Sequence, residues 1–290
     1  MQLLLDTENW YLVPPMGIKV AFLGEIVGKA GVFCVKRLLP ELVKEKNIDF
    51  VIANGEGATG GFGLGKNHSI YLHKLGIDVI TGGECIYYKL DMASHIKSAR
   101  YILRPANYPP GNPGRGWGVY RKKDRSLAVV VLLGQSGFNR VHLSNPFSYL
   151  PEIVRRLRDE TKNIVLDFHA ATTAEKYTMF YHADGMVSAV IGTHTKVMTS
   201  DETVMPKGTG VICDVGRCGS QDSVGGLNYE VEIKKFLTQV PERSQDAWTN
   251  LELQGVVMEL DDKGKTESIE RFKLPCKEAP DDGNGNSTEH

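Results

Sequence analysis

The stretch "GTHTKVMTSDE" (192–202) follows an apolar run and sets His194 and Lys196 two residues apart. In extended backbone, residues two apart point the same way, so an imidazole and an ammonium face one place. Imidazole is a common ligand of divalent metals, whereas an ammonium has no lone pair to offer. Polar residues close or follow other apolar runs too. Glu25 follows "IKVAFLG" (18–24), Glu56 follows "DFVIANG" (49–55), and Glu84 and Cys85 follow "IDVITGG" (77–83), while Asp167 and His169 lie in "NIVLDFHA" (163–170). Histidine and carboxylate donors together suit zinc, iron or manganese. Taken singly, a Glu or His after a strand is a polar residue opening a loop, and Asp167 reads equally well as a structural partner. Taken together, these strand ends point to a metal or phosphate site.

The elements that must position them are β-rich runs separated by helical patterns. "SLAVVVLLG" (126–134), "MVSAVIGTH" (186–194) and "GTGVICDVG" (208–216) complete the strands, and residues 30–46, 67–76 and 145–161 have apolar residues at helical spacing. Pro40 is expected to kink the first helix or open a second. Strands alternating with helices predict βαβ units and a largely parallel sheet, whose sites form outside the carboxyl ends of the strands. Beyond about residue 200 the strands shorten, and 249–262 and 265–274 read as an antiparallel hairpin over the turn "DDKGK". The expectation is an α/β protein with a second, more antiparallel sheet. One domain spans 16–276, between an extension at 1–15 and a polar tail at 277–290.

Composition removes several classes. Lys+Arg 34 against Asp+Glu 35 gives a net charge of −1, so no general basic field favours a nucleic-acid duplex. The five cysteines (34, 85, 213, 218 and 276) form no CxxC pair, which fits the reducing cytoplasm better than a disulfide scaffold. The first fifteen residues lack the basic start and apolar core of a signal peptide, and no apolar run has bilayer-spanning length, so no membrane is expected. "GEGATG" (55–60) matches the dinucleotide fingerprint, but "GFGLG" follows where a helix should begin, and Asn67 stands where a P-loop needs Ser or Thr. No nucleotide cofactor is expected. His68, His73 and His95 fall in helical patterns and read as structural. His182 is more ambiguous, and the loop "GNPGRGWG" (111–118) either covers the site or links two strands.

In order and spacing, "FLGEIVGKAG", "ANGEGATGGFGL", "LRPANYPPGNPGRG", "DFHAATTAEK", "GTHTKVMTSDE", "MPKG" and "DVGRCG" resemble the YmdB-like metallophosphoesterases. That family is a branch of the calcineurin-like superfamily associated with 2′,3′-cyclic-nucleotide phosphodiesterase activity. The likeness runs from about Met16 to Lys273. It implies a four-layer α/β/β/α sandwich of two mixed sheets holding two metals. It also implies that Glu56, His169 and His194 retain family ligands. Five positions depart: Glu25 replaces an Asp, Gly57 an Asn, Glu84 and Cys85 an Asn-His pair, and Lys196 the last histidine.

The resemblance thus maps one divalent transition metal (Fe, Mn or Zn) onto Glu56, Glu84, His169 and His194, with Glu25 a weaker ligand. Lys196 and Gly57 fall on the substrate side, and Arg104 and Asn107 are further lining candidates. A second metal is disfavoured because the ammonium of Lys196 repels it. Cys85 stands in for a candidate proton donor, and losing a general acid typically lowers rates by ~10²–10⁴-fold. The expectation is impaired or lost hydrolysis with a binding or regulatory role. The alternatives are a mono-metal phosphodiesterase in which Lys196 clamps phosphate, and a scaffold or interaction module. The implied ligand is a phosphodiester or cyclic nucleotide, and the implied assembly a homo-oligomer.

Overall fold

Strand β1 (Ile18–Leu23) shows how the layers arise. Val20 and Phe22 enter one core while Ala21 and Leu23 enter another, as a two-residue strand period requires. The computed structural model describes residues 17–138 and 143–277. The extension at 1–15 and the tail beyond Lys277 lie outside the described residues. After β1 come β2 (Glu25–Ile26), α1 (Gly28–Lys46), β3 (Phe50–Asn54), α2 (Lys66–Lys74), β4 (Val79–Thr81), α3 (Leu90–His95) and β5 (Ile102–Leu103). Then follow β6 (Trp117–Lys122), β7 (Arg125–Leu133), α4 (Pro146–Leu157), β8 (Ile164–His169), α5 (Thr173–Ala183) and β9 (Ala189–Thr193). The chain continues through β10 (Thr203–Val204), β11 (Gly210–Ile212), β12 (Arg217–Ser220), α6 (Tyr229–Thr238), β13 (Leu251–Leu260) and β14 (Thr266–Pro275).

One sheet has the order β2-β12-β13-β1-β3-β4-β5, with β14 paired to β13; the other runs β10-β11-β9-β8-β7-β6. Val20, Phe22, Phe50 and Ile52 of the first sheet face Val129, Val131, Val165 and Ile191 of the second. The outer face of the first sheet packs on Val35 and Leu39 of α1, Leu72 of α2 and Met92 of α3. The outer face of the second packs on Leu150 and Ile153 of α4 and on Met179 and Phe180 of α5. These three cores separate four layers, α/β/β/α, built on two mixed sheets. Phe22, Phe50 and Phe168 are fully buried, each contributing roughly 1.5–3 kcal/mol of transfer free energy.

Several local expectations change. Helix α1 runs through Pro40 without a break. Pro40 and Lys36, whose carbonyl loses its donor, both lie on the exposed face, where water satisfies that carbonyl. The helix expected over 145–161 stops at Leu157 and is capped by Asn145, whose side chain accepts from the Phe147 amide. Helices α5 and α6 and strand β6 appear where no element was expected. The "GNPGRGWG" loop carries the chain from β5 in the first sheet to β6 in the second, so it links strands of different sheets. Arg104 binds that loop through the carbonyls of Asn112 and Pro113. Asn107 donates to the carbonyls of Leu133 and Ser144. Among the described residues, no helix is long and apolar enough to cross a membrane.

Candidate metal centre

The parallel strands of both sheets bring their carboxyl ends to one place. Val165, Asp167 and His169 alternate along β8, so with Val165 in the core between the sheets, the other two face the same gap. Asn54, the last residue of β3, reaches across that gap and donates to Asp167 Oδ2 at 3.2 Å and Thr193 Oγ1 at 3.4 Å. The Thr193 hydroxyl donates its only proton to Asp167 Oδ1 at 2.7 Å. It therefore accepts from His169 Nδ1, 2.8 Å away, which fixes the ring with its proton on Nδ1. The other nitrogen, Nε2, is thereby turned towards Glu84 Oε2 at 2.8 Å and His194 Nδ1 at 3.1 Å.

Glu84, His169 and His194 each present a donor atom, all within 4.8 Å of one another. A tetrahedral ion with ligands at ~2.0–2.1 Å needs donors roughly 3.3 Å apart. His169 Nε2 lies 2.8 Å from Glu84 Oε2 and 3.1 Å from His194 Nδ1, and His194 Nδ1 lies 3.6 Å from the other Glu84 oxygen, Oε1, distances that bracket that value. This donor set fits one divalent cation. Burial and the charge on His169 hold His194 down at about 4. Burial also opposes the charge on His169, but Glu84 lifts it to about 9. Against its own burial, Glu84 is drawn down to about 2 by His169 and then His194. Without a cation the cluster therefore holds one proton on His169, which a metal has to displace.

His194 sits at φ +98° and Lys196 at φ +61°, in the left-handed region that side chains disfavour. Such residues cost of order 1–3 kcal/mol each and persist only where the surroundings over-determine them. Asp214 supplies that hold: its Oδ2 accepts from the Thr195 amide at 2.9 Å and hydroxyl at 2.7 Å. The same oxygen pairs with Lys176 of α5 at 3.1 Å, where both side chains are buried. Phe138 closes one side, its ring 4.9 Å from that of His194.

The other half of the site is organised differently. Lys196 Nζ lies 3.0 Å from Glu25 Oε1, and Glu25 is 2% exposed. The nearer oxygen of Glu25 fills the space beside Gly57, where a Cβ would come within 2.7 Å of it. Glu25 Oε2 has no hydrogen-bond partner, and burial raises its carboxyl despite the opposing charge of Lys196. Glu56 accepts from the amides of Gly83, at 2.6 Å, and Cys85. Burial and then the charge on Glu84 push it up to about 7. The Cys85 thiol is buried and driven well above its ordinary value by that burial and by Glu56.

Residues 21–272 match the family model described as YmdB-like protein. The chain belongs to the YmdB-like family. A relative named 2′,3′-cyclic-nucleotide 2′-phosphodiesterase, from Bacillus subtilis strain 168, is 37% identical over 258 residues, covering 89% of this chain and 97% of the relative. The crystal structure of a phosphatase from Mycoplasma pneumoniae superposes with a TM-score of 0.83 at 34% identity, covering 89% of this chain and 94% of that one. A 5′-nucleotidase from Thermus thermophilus, 12% identical with a TM-score of 0.54 and covering 89% of this chain and 54% of that one, shares the fold alone.

Within this YmdB-like chain, Glu84, His169 and His194 come together as one cluster. Glu56 does not complete it; it joins Glu84 and Cys85 in an adjoining group, its oxygens engaged by amides. Glu25 and Lys196 pair with each other. His68, His73 and His95 lie in or at the end of helices α2 and α3, and His182 of α5 meets the Phe147 carbonyl, away from the cluster. Sequence reasoning missed Thr193, Asp214, Lys176 and Phe138 as supports. Asp214 was findable, since it ends an apolar run as the ligands do. Lys176 carries no such signal, because a lysine on a helix reads as solvent-facing.

Proposed function

We propose that this chain is a metallophosphoesterase-family protein that binds one divalent transition metal through Glu84, His169 and His194, accepts a phosphodiester or cyclic nucleotide beside it, and hydrolyses it poorly. The observation that carries this reading is the Lys196–Glu25 pair at 3.0 Å. An ammonium there supplies positive charge where the family resemblance expects a second metal, and two cationic centres a few ångströms apart repel. Gly57 supports it, because the room an asparagine would need is taken by Glu25. The three positions form one consistent arrangement.

A metal, when bound, supplies a Lewis acid and lowers the pKa of water. The residues of the chain do the remaining work. Lys196 reaches towards an anionic ligand while staying tethered to Glu25. Asp167, through Thr193, holds one proton of His169 on Nδ1, so that Nε2 is the nitrogen a metal takes once it displaces the other proton. Cys85 is a poor proton donor to a leaving oxygen, since its thiol holds its proton far too tightly.

The test is turnover of 2′,3′-cyclic AMP and bis-p-nitrophenyl phosphate with manganese or iron, measured beside the Bacillus subtilis relative. The expected kcat/KM is at least ~100-fold lower, the scale of a lost general acid, with one equivalent of metal per chain. Turnover comparable to the relative would overturn the impaired reading in favour of a working mono-metal phosphodiesterase. Absence of bound metal after reconstitution would overturn both.

A further inference from the structure

The "MPKG" turn (205–208) and the "DDKGK" turn (261–265) play no part in the candidate metal centre, yet they meet. Between them lies a cavity of about 430 Å³ whose lining includes five exposed cationic residues, Arg158, Lys162, Lys207, Lys263 and Lys265. Lys162, Val187 and Gly208 of its wall stand just before β8, β9 and β11. The metal centre lies past the other ends of the same strands. The six residues of β8 set the two places roughly 20 Å apart.

Three features mark this as a built cavity. First, none of its lining residues carries a carboxylate. Among the described residues, none of the five cations makes an ion pair. Of the nearby carboxylates, Asp184 accepts from the Lys207 amide and Asp261 from the amides of Lys263 and Lys265, while Asp261 and Asp262 line a different cavity. Second, a chain of net charge −1 has gathered five cations by folding, so general basicity does not account for them.

Third, the lysines are laid against bare backbone. Gly185, Gly208 and Gly264 turn at φ +80°, +98° and +79°. A Cβ at Gly185 would meet the Lys207 stem at 3.0 Å, one at Gly208 the Lys265 stem at 2.9 Å, and one at Gly264 the Lys162 Cβ at 2.9 Å. Glycine and lysine thus interleave around the rim. Arg158 is fixed by Nη2, which donates to the carbonyls of Gly185 at 3.0 Å and Met186 at 3.2 Å.

Unneutralised like charges held close together destabilise the fold, and an anion seated among them reverses that sign. Lysine and arginine are the side chains that recognise phosphate oxygens. Five cations exceed the need of one phosphate, and the volume falls within the range of small-ligand sites. We propose that this cavity binds a small polyphosphate anion of about three linked phosphates, free or as the phosphate chain of a nucleotide.

The test is calorimetric titration of the full chain with inorganic tripolyphosphate, with chelator present to keep metal out of the other site. One saturable site is expected, tightening as ionic strength falls. Lys207→Glu with Lys265→Glu should weaken it at least tenfold, and the milder Lys207→Gln with Lys265→Gln should do so partly, with circular dichroism unchanged. His194→Ala should leave the affinity within twofold, which separates this cavity from phosphate binding at the metal centre. Adenosine triphosphate binding more tightly than tripolyphosphate identifies the nucleotide as the source; equal or weaker binding identifies free polyphosphate. No saturable binding, full affinity in the double variants, or loss in His194→Ala would overturn the proposal. So would a single-stranded oligonucleotide that binds more tightly than tripolyphosphate through the same lysines.

Discussion

Lys196→Met removes the cation that faces Glu25, a carboxylate 2% exposed with one oxygen already unpartnered. Breaking a buried pair on one side typically costs ~3–5 kcal/mol. The Lys196 side chain is 19% exposed, so water screens part of the loss, and the expectation at pH 8 is about 3 kcal/mol. Glu25 escapes this penalty by taking up a proton. Burial already raises its carboxyl above the ordinary 4.5 with Lys196 in place, and the substitution raises it further. A carboxyl that holds its proton more tightly folded than unfolded gives stability that falls as pH rises above 4.5. The fall continues to the native value, at up to about 1.4 kcal/mol per pH unit, and then levels off. In the variant the fall reaches a higher pH, so its deficit is small near pH 5 and largest near pH 8. Urea unfolding followed by tryptophan fluorescence at both pH values measures this. The single variant should lose about 3 kcal/mol at pH 8 and less than about 1 at pH 5. Glu25→Gln with Lys196→Met should recover at least half of the loss at pH 8. An equal loss at both pH values, or no recovery in the double variant, would refute the reasoning.

Thr193→Val removes the hydroxyl that fixes His169, and metal affinity read by competition with a chromophoric chelator should fall ~10–100-fold. Gly57→Asn alone should destabilise the fold by ~1–3 kcal/mol through overpacking against Glu25, and adding Glu25→Asp should restore most of that in chemical denaturation. Lys196→His together with Glu25→Asp and Gly57→Asn should raise bound metal, by elemental analysis, from one to two equivalents. All five cysteines are free and buried, so a thiol reagent such as DTNB should modify none quickly in the native chain and all five in urea.

The layers were legible because β1, β3, β7, β8 and β9 are apolar on both faces, which only a sheet covered on both sides permits. Helix α5 was missed although Thr172 and Glu175 carry a capping signal; its side chain–amide bond is present at 3.3 Å. Its burial mixes Lys176 with Met179, Phe180 and Ala183, and a buried lysine blurs the apolar period. Strand β6 follows a Gly/Pro-rich stretch and has two exposed residues at its end, so it lacks a clean alternation. For the site, strand ends identified which residues gather. They could not say that Glu56 turns to the amides of Gly83 and Cys85, because that depends on the path of the loop after β4. Nor could spacing disclose that Gly57 and Glu25 compete for one space, since they lie 32 positions apart in the chain and meet only once the strands are paired.

The bridge from Asn54 to Asp167 and Thr193 bears on the order in which the molecule acquires its properties. It joins residues 113 and 139 positions apart, and the metal cluster takes its carboxylate from the first sheet's side and its imidazoles from the second's. Neither half of the chain holds the donor set alone. Loop closure over such separations comes late in folding, so a chain with one sheet formed and the other undocked has at most a fragment of the centre. Metal uptake during refolding should therefore lag the appearance of secondary structure and coincide with docking of the sheets, which makes a bound chromophoric ion such as cobalt a clock for that step.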